Sequence, residues 1–350
     1  MTDHSSLSSM HYPPGRPLRY RRYAKILSTG AGVPENTVTN QDLIDEFDLI
    51  ATDRAVQFSL GIRERRRAPF ETPPSVYLER AARACIENAG ISPEKIDRIV
   101  YAKLFGDHLT PATAVRVLQR LGIRKGIPVM DISAACSGTL HAMDLALGFI
   151  NAGDDYVLVL GGDRTVLEKQ AAVERDTRTV FLNGDGFAGL LLAVSDTPRF
   201  HAKYFYTDSD QRDFAYVPFG TELLNVTEEI SPKMFALTMP DGSRIHRSVM
   251  DSCRILSERL FELSGKKIED IDFFITSDQT HLVWQEQLKL LGLPEEKSVS
   301  CFHKYGNTVA AMVPLNLHEA VSSGRLKRGM TVLMMGHGAG AAGGGFIFTF

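Results

Sequence analysis

The strongest constraint on this chain is that its second half repeats the order of features in its first. Asp131-Ile-Ser-Ala-Ala-Cys136-Ser-Gly leads into an apolar helical stretch and then Asn151-Ala-Gly153. At a constant displacement, Tyr305-Gly-Asn307 leads into Thr308–Val321 and then Ser322-Ser-Gly324. Each copy continues with an apolar strand ending in glycine, Val157–Gly161 and Val332–Gly336, and closes on a glycine turn and a further apolar run. Self-similarity in fixed order predicts two related halves, here 19–198 and 199–350. Residues 1–18 are rich in Ser, His and Pro and are expected to form a flexible tail, neither signal peptide nor anchor.

Within the halves, short apolar runs alternate with amphipathic ones. Arg98–Phe105, Ile127–Ile132 and Tyr156–Leu160 read as buried strands, and Val76–Ala89 and Ala112–Leu121 as helices, the second opened by Thr110-Pro111. That alternation predicts an α/β fold with a mostly parallel sheet covered on both faces. Arg199–Asp241 is irregular and aromatic, and reads as an elaborated loop.

Composition narrows the function. The chain has 350 residues, more than one core usually serves, and is 44% hydrophobic and 23% charged, which excludes a disordered or fibrous protein. A net charge of −3 argues against nucleic acid as partner, and no apolar run is long enough to cross a membrane. The four cysteines form no CxxC pair, so no metal site is expected and a reducing, cytoplasmic setting is.

Cys136 and Asn307 occupy equivalent places in the repeat, each where a strand gives way to a helix. There, backbone N–H groups and the helix dipole favour negative charge, which lowers a thiol's pKa and binds an oxyanion. If the halves face each other about a pseudo-twofold axis, both positions converge on one site.

Ala134-Ala-Cys136-Ser-Gly138, Asn183-Gly-Asp-Gly186, Lys304-Tyr-Gly-Asn307-Thr and Gly336-His-Gly-Ala-Gly340 together resemble the thiolase superfamily, in its β-ketoacyl carrier-protein synthase III-like branch. The resemblance runs from about Lys25 to Phe350 and includes Gly61-Ile-Arg-Glu-Arg65. It implies a duplicated five-layer αβαβα fold, a homodimer, no bound cofactor, and a cysteine acylated by a CoA or phosphopantetheine thioester. Cys136 is then the nucleophile, Asn307 the amide donor to the thioester carbonyl, and the N–H groups of Cys136 and Ala339 the oxyanion hole. The other cysteines read as packing residues.

Two departures qualify that expectation. The family's catalytic histidine, in a His-Gln-Ala-Asn type of motif, falls on Ser277 in gapless register, or on Asp278 when shifted by one, with His281 in the asparagine slot. Serine stabilises a developing enolate weakly and an aspartate repels it, so decarboxylative condensation is in doubt. His337 in the glycine loop and His281, paired with Asp278, are the candidate general bases, provided they titrate near neutrality. Second, Ala55 and Ser59 stand where CoA-using relatives carry a tryptophan and an arginine. The basic run containing Arg63 and Arg65 then favours an acyl-carrier protein over free acyl-CoA as donor.

The sequence therefore predicts an acyltransferase that acylates Cys136 and passes the group to an acceptor, in fatty acid, polyketide or related secondary metabolism. Two alternatives stand beside it: a decarboxylating condensation with a malonyl thioester, and a non-catalytic partner subunit.

Overall fold

The computed structural model describes residues 11–165, 177–219 and 232–350. Two sheets organise them. The first contains β1 (Tyr23–Ala31), β4 (Arg98–Ala102), β5 (Val129–Ile132), β6 (Tyr156–Asp163) and β7 (Gly186–Ser195), in the order β1-β7-β6-β4-β5. The second contains β8 (Phe200–Thr207), β9 (Phe273–Thr276), β10 (Thr331–Gly338) and β11 (Ala342–Thr349), in the order β8-β11-β10-β9. An isolated parallel bridge from Phe274 to Ser298 stands where β5 stands in the first sheet, so both sheets have the same winding. A small ribbon, β2 (Thr37–Thr39) with β3 (Glu64–Arg66), lies apart.

The helices are α1 (Asn40–Phe47), α2 (Asp53–Leu60), α3 (Pro74–Ala89), α4 (Thr113–Leu121), α5 (Gly138–Ala152), α6 (Thr177–Leu182), α7 (Gly242–Ser264), α8 (His281–Leu291), α9 (Phe302–Tyr305) and α10 (Met312–Ser322). One apolar cluster joins α5 and α10 to the inner faces of both sheets through Leu140, Met143, Val313 and Leu317. A second packs α3 and α4 on the outer face of the first sheet, and a third packs α7 and α8 on the outer face of the second. Helices, sheet, helices, sheet, helices make five layers, the thiolase-like αβαβα arrangement.

Burial on both faces explains why β6 and β7 read as continuous apolar runs. The expectation of a mostly parallel sheet needs correcting. β4 runs parallel to β5 and β6, but β7 returns antiparallel between β1 and β6, and β11 does the same between β8 and β10. In the second sheet the cause is local: a turn at 339–341 brings the chain straight back, which permits only an antiparallel partner.

Three further expectations change. Helix α4 starts at Thr113, after Thr110-Pro111, because the Asp131 carboxylate of β5 accepts from the Thr113 and Ala114 N–H groups at 2.7 and 3.0 Å and so caps it. The stretch from Arg199 opens with strand β8, where Phe200, Ala202 and Tyr204 alternate into the interior at the strand period; its residues 220–231 lie outside the described residues. Residues 1–10 of the expected tail also lie outside them. Tyr12 stacks edge-on against Tyr206, and the Pro13 carbonyl accepts from the Tyr204 hydroxyl, so the following segment is docked on the second lobe.

The axis of the duplication can be located by a single bond. Thr139 Oγ1 donates to the Ala310 carbonyl at 2.5 Å, and these are equivalent positions of the two copies. Cys136 and Asn307 lie three residues before each.

Candidate active site

Cys136 sits on a 3-10 turn, Ala135–Ser137, between the end of β5 and the start of α5. Ala135 adopts φ +45°, a left-handed conformation uncommon for a residue with a Cβ. Its counterpart Gly306 has φ +66°, so the same kink precedes both site residues. Cys136 stays partly exposed and lines a cavity of about 440 Å³ that Asn307 also lines. Burial pushes the thiol up to about 12, outweighing the lowering expected from the helix start.

Asn307 is held from three sides. Its N–H donates to the Leu182 carbonyl at 2.8 Å, its carbonyl accepts from Gly184 N–H at 3.1 Å, and its Oδ1 accepts from Val309 N–H at 2.9 Å. With Oδ1 committed, Nδ2 is the end left to donate.

Gly338 and Ala339 bring the β10–β11 turn to the same cavity. A Cβ on Gly338 would stand 2.9 Å from the Ala134 carbonyl oxygen and Ser137 nitrogen and 3.0 Å from the Cys136 nitrogen. Only glycine lets the turn approach the cysteine's main chain this closely. Cys136 and Ala339 are thereby neighbours of one cavity wall, as an oxyanion hole requires.

The structure does not bring the other expected residues together. Ser277 is 1% exposed, lies outside the cavity lining, and accepts through Oγ from the His337 N–H at 3.0 Å. Asp278 does not pair with His281. Its carboxylate accepts from Ser300 Oγ and from Asn316 Nδ2, the latter at 2.6 Å, and burial pushes it up to about 7. The His281 ring packs 5.1 Å from Trp284 and is absent from the lining, although Thr280 and Leu282 on either side are in it. Burial lowers its pKa further. It opens α8, with Thr280 as the N-cap, and its Cβ packs against Gly61 at the end of α2. His337 does line the cavity, but burial holds it down at about 4, below the near-neutral range set for a general base.

The basic run divides in the same way. Arg63 is exposed. Arg65 is 3% exposed and donates to the Val38 and Phe181 carbonyls and to Asn40 Oδ1, so it braces β2 and α6 instead of offering charge to a partner. Burial first, and Arg67 second, lower it to about 10. Ser59 and Leu60, at the end of α2, line the cavity.

Gln279, the glutamine of the shifted motif register, lines the cavity, as do several residues that carried no sequence signal. Gln279 donates through Nε2 to the His337 carbonyl at 3.1 Å. His246 and Glu286 form a half-exposed pair at 2.5 Å. Ser248 and Gln211 join His337, and none belongs to a motif that spacing could have found. Phe214, Tyr216, Phe235, Leu237, Met239 and Ile245 make much of the remaining wall apolar. Among the described residues no cluster of His, Cys, Asp and Glu could hold a metal ion, and no helix is long and apolar enough to cross a membrane.

The chain is similar to known proteins along most of its length. The family described as 3-oxoacyl-[acyl-carrier-protein (ACP)] synthase III matches residues 130–210, and its C-terminal family matches 261–350. The β-ketoacyl-[acyl-carrier-protein] synthase III of Methylococcus capsulatus is 31% identical over 330 residues, covering 94% of this chain and 99% of its own length. The crystal structure of the Aquifex aeolicus 3-oxoacyl-[acyl-carrier-protein] synthase III superposes with a TM-score of 0.81 at 30% identity, over 93% of this chain and 100% of that one. The priming β-ketosynthase of the R1128 polyketide pathway superposes at 0.83 with 27% identity, over 96% and 99%. A cysteine at a kinked strand-to-helix turn, an asparagine at the equivalent turn of a duplicated lobe, and relatives matched over their whole length lead to one statement: this chain belongs to the 3-oxoacyl-[acyl-carrier-protein] synthase III family of the thiolase superfamily.

Proposed function

We propose that the protein is an acyltransferase that forms an acyl-Cys136 thioester from a carrier-protein or CoA donor and passes the acyl group to an acceptor that need not lose carbon dioxide. The cavity suits the first half-reaction. Its apolar wall suits a hydrocarbon chain, and on this reading the N–H groups of Cys136 and Ala339 and the Nδ2 of Asn307, all residues of the lining, are the donors to the developing oxyanion. Burial keeps the resting thiol protonated, so its proton leaves with the departing donor thiol as the acyl–cysteine bond forms.

The observation that carries the second half is Ser277. The position that holds a histidine in the family's motif holds a hydroxyl bonded to the His337 main chain, and neither Asp278 nor His281 reaches the cavity. The motif histidine that joins the amide in stabilising a decarboxylation enolate therefore has no counterpart at its own position. Decarboxylating condensation remains the competing reading, favoured by the names of the relatives matched along the whole chain. A non-catalytic role is disfavoured, because a subunit without chemistry gains nothing from a nucleophile and an amide donor on one cavity.

Intact-protein mass spectrometry after incubation with an acyl-carrier protein or acyl-CoA is the test. An adduct mapping to Cys136, with no carbon dioxide released from carboxyl-labelled malonyl thioester, is the expected result. Stoichiometric carbon dioxide release replaces this reading with condensation, and no adduct with any thioester returns the protein to a partner role.

A further inference from the structure

The segment that precedes the stretch resembling the family has a contact pattern of its own. Tyr12, Gly15 and Leu18 are partly buried, and the residues between them are exposed. Burial at every third position is the period of a polyproline ribbon, a conformation that Pro13, Pro14 and Pro17 favour. The ribbon lies across α7 and β8. Arg259 of α7 donates to the Tyr12 carbonyl at 3.4 Å, Tyr204 of β8 donates to the Pro13 carbonyl at 2.9 Å, and Gly15 lies against Leu263 of α7. Leu18 then packs on the cluster between the sheets.

The Tyr12 end of this ribbon reaches a junction behind the active site. Asp208 directly follows β8 and is fully buried. Its N–H donates to the Ala341 carbonyl at 2.8 Å and its carbonyl accepts from the Ala341 N–H at 3.1 Å, which carries the β8–β11 pairing one step past Thr207 and Ala342. Its Oδ2 accepts from the Tyr12 hydroxyl and from Gln211 Nε2, both at 2.6 Å. Ala341 and Gln211 line the same cavity as Cys136.

Ala339 therefore stands between two anchors. On one side Gly338 meets the Cys136 main chain at a distance that only glycine allows, and on the other Ala341 is tied in both directions to Asp208. A buried carboxyl group that loses a donor is left underpaired, and it is relieved by shifting toward another partner. Any such shift of Asp208 draws Ala341 with it. We infer that Tyr12 is a positioning residue for the glycine turn: its hydroxyl holds Asp208, and through Ala341 Asp208 holds the Ala339 N–H in place. The consequence for catalysis rests on the acyl-transfer reading, whereas the anchoring of the turn does not.

The experiment compares Tyr12→Phe with Tyr204→Phe in the whole protein. Each removes one hydroxyl from the attachment of the ribbon, the first from Asp208 and the second from Pro13. Hydrogen exchange, followed by mass spectrometry over 338–342, reads the turn. Exchange there should be about tenfold faster in Tyr12→Phe, the scale of one hydrogen bond lost from a buried group, and unchanged in Tyr204→Phe. Single-turnover acylation of Cys136 by hexanoyl-CoA or hexanoyl carrier protein should slow about tenfold in Tyr12→Phe at saturating thioester, with the half-saturating concentration unchanged. Unchanged exchange, or equal acceleration in both variants, overturns the inference, because the ribbon then only stabilises the lobe. Faster exchange with a normal acylation rate overturns it as well, because the turn then keeps its donor in place without Tyr12. Should the wild type take no acyl group from either thioester while exchange still separates the variants, the anchoring stands and the transferase reading alone falls.

Discussion

Asp278 and Asn307 illustrate opposite ways in which a polar side chain is fixed near this cavity. Asp278 is 2% exposed, and its neighbours Ser300 and Asn316 only partly offset the desolvation that raises its pKa from 3.8 to about 7. A carboxyl raised on folding binds more protons in the native than in the unfolded state, so its stabilising effect is complete below about pH 4 and is lost as the pH rises through about 7. We expect urea unfolding to show stability falling by a few kcal/mol across that window, and Asp278→Asn to flatten the slope and be the more stable protein above pH 7. An unchanged slope in the variant would move the titration to another group. Asn307 is fixed by its main chain and its Oδ1, with Nδ2 left for substrate. Cys136→Ala should abolish acylation outright. Asn307→Ala should still acylate but transfer about 10²–10³-fold more slowly, the usual effect of losing one such donor, as single-turnover acylation and deacylation rates will show. These two residues were legible in sequence because the repeat places them in register. The packing of His281 away from the cavity lining and the interior position of Arg65 were not, since both depend on what packs against α8 and β3 rather than on anything near them in the chain.

Among the elements, the β10–β11 turn does most to shape the site. Strand and helix periods gave away β6, β7, α3 and α5, whose residues are buried in long regular runs. They missed β8 because 199–241 was read as one irregular aromatic stretch, although Phe200, Ala202 and Tyr204 alternate at the strand period, and they misplaced the start of α4 because its cap comes from Asp131 on another element. The glycines of the turn were legible as a tight approach, though not what they approach. Gly338→Ala tests this directly. Its added methyl meets three main-chain atoms at 2.9–3.0 Å, none of which can swing aside as a flexible side chain would. The turn must retreat from Cys136, so acylation should slow by about 10²-fold or more as the oxyanion donors separate. The fold should persist with a penalty of about 1–3 kcal/mol. Normal acylation by a folded Gly338→Ala protein would remove Ala339 from the oxyanion hole.

For the whole molecule, duplication explains why so much could be read from one sequence. Two copies with the same winding, joined at Thr139 and Ala310, act as an internal comparison, and it is the positions where the copies differ in chemistry, Cys136 against Asn307, that mark the site. What duplication cannot reveal is how a molecule of this shape meets another, and here the first sheet carries a signal of its own. Among the described residues its last strand, β5, has β4 on one side only, and all four of its residues keep part of their surface exposed. The Ile99 and Lys103 N–H groups are taken by the Pro128 and Ile132 carbonyls, so Val129 and Asp131 turn their backbone groups to the open edge. Val115 of α4, the helix that packs on β5, is 47% exposed, and an unpaired edge strand invites a second strand. We propose that two copies pair edge to edge through β5, as the family resemblance implies. Light scattering should give twice the chain mass of 38.7 kDa. Val129→Pro, which removes an outward N–H and spares the bonds to β4, should shift the protein to monomer with its circular dichroism intact. A wild-type monomer at micromolar concentration, or a Val129→Pro dimer, would place the partner surface elsewhere.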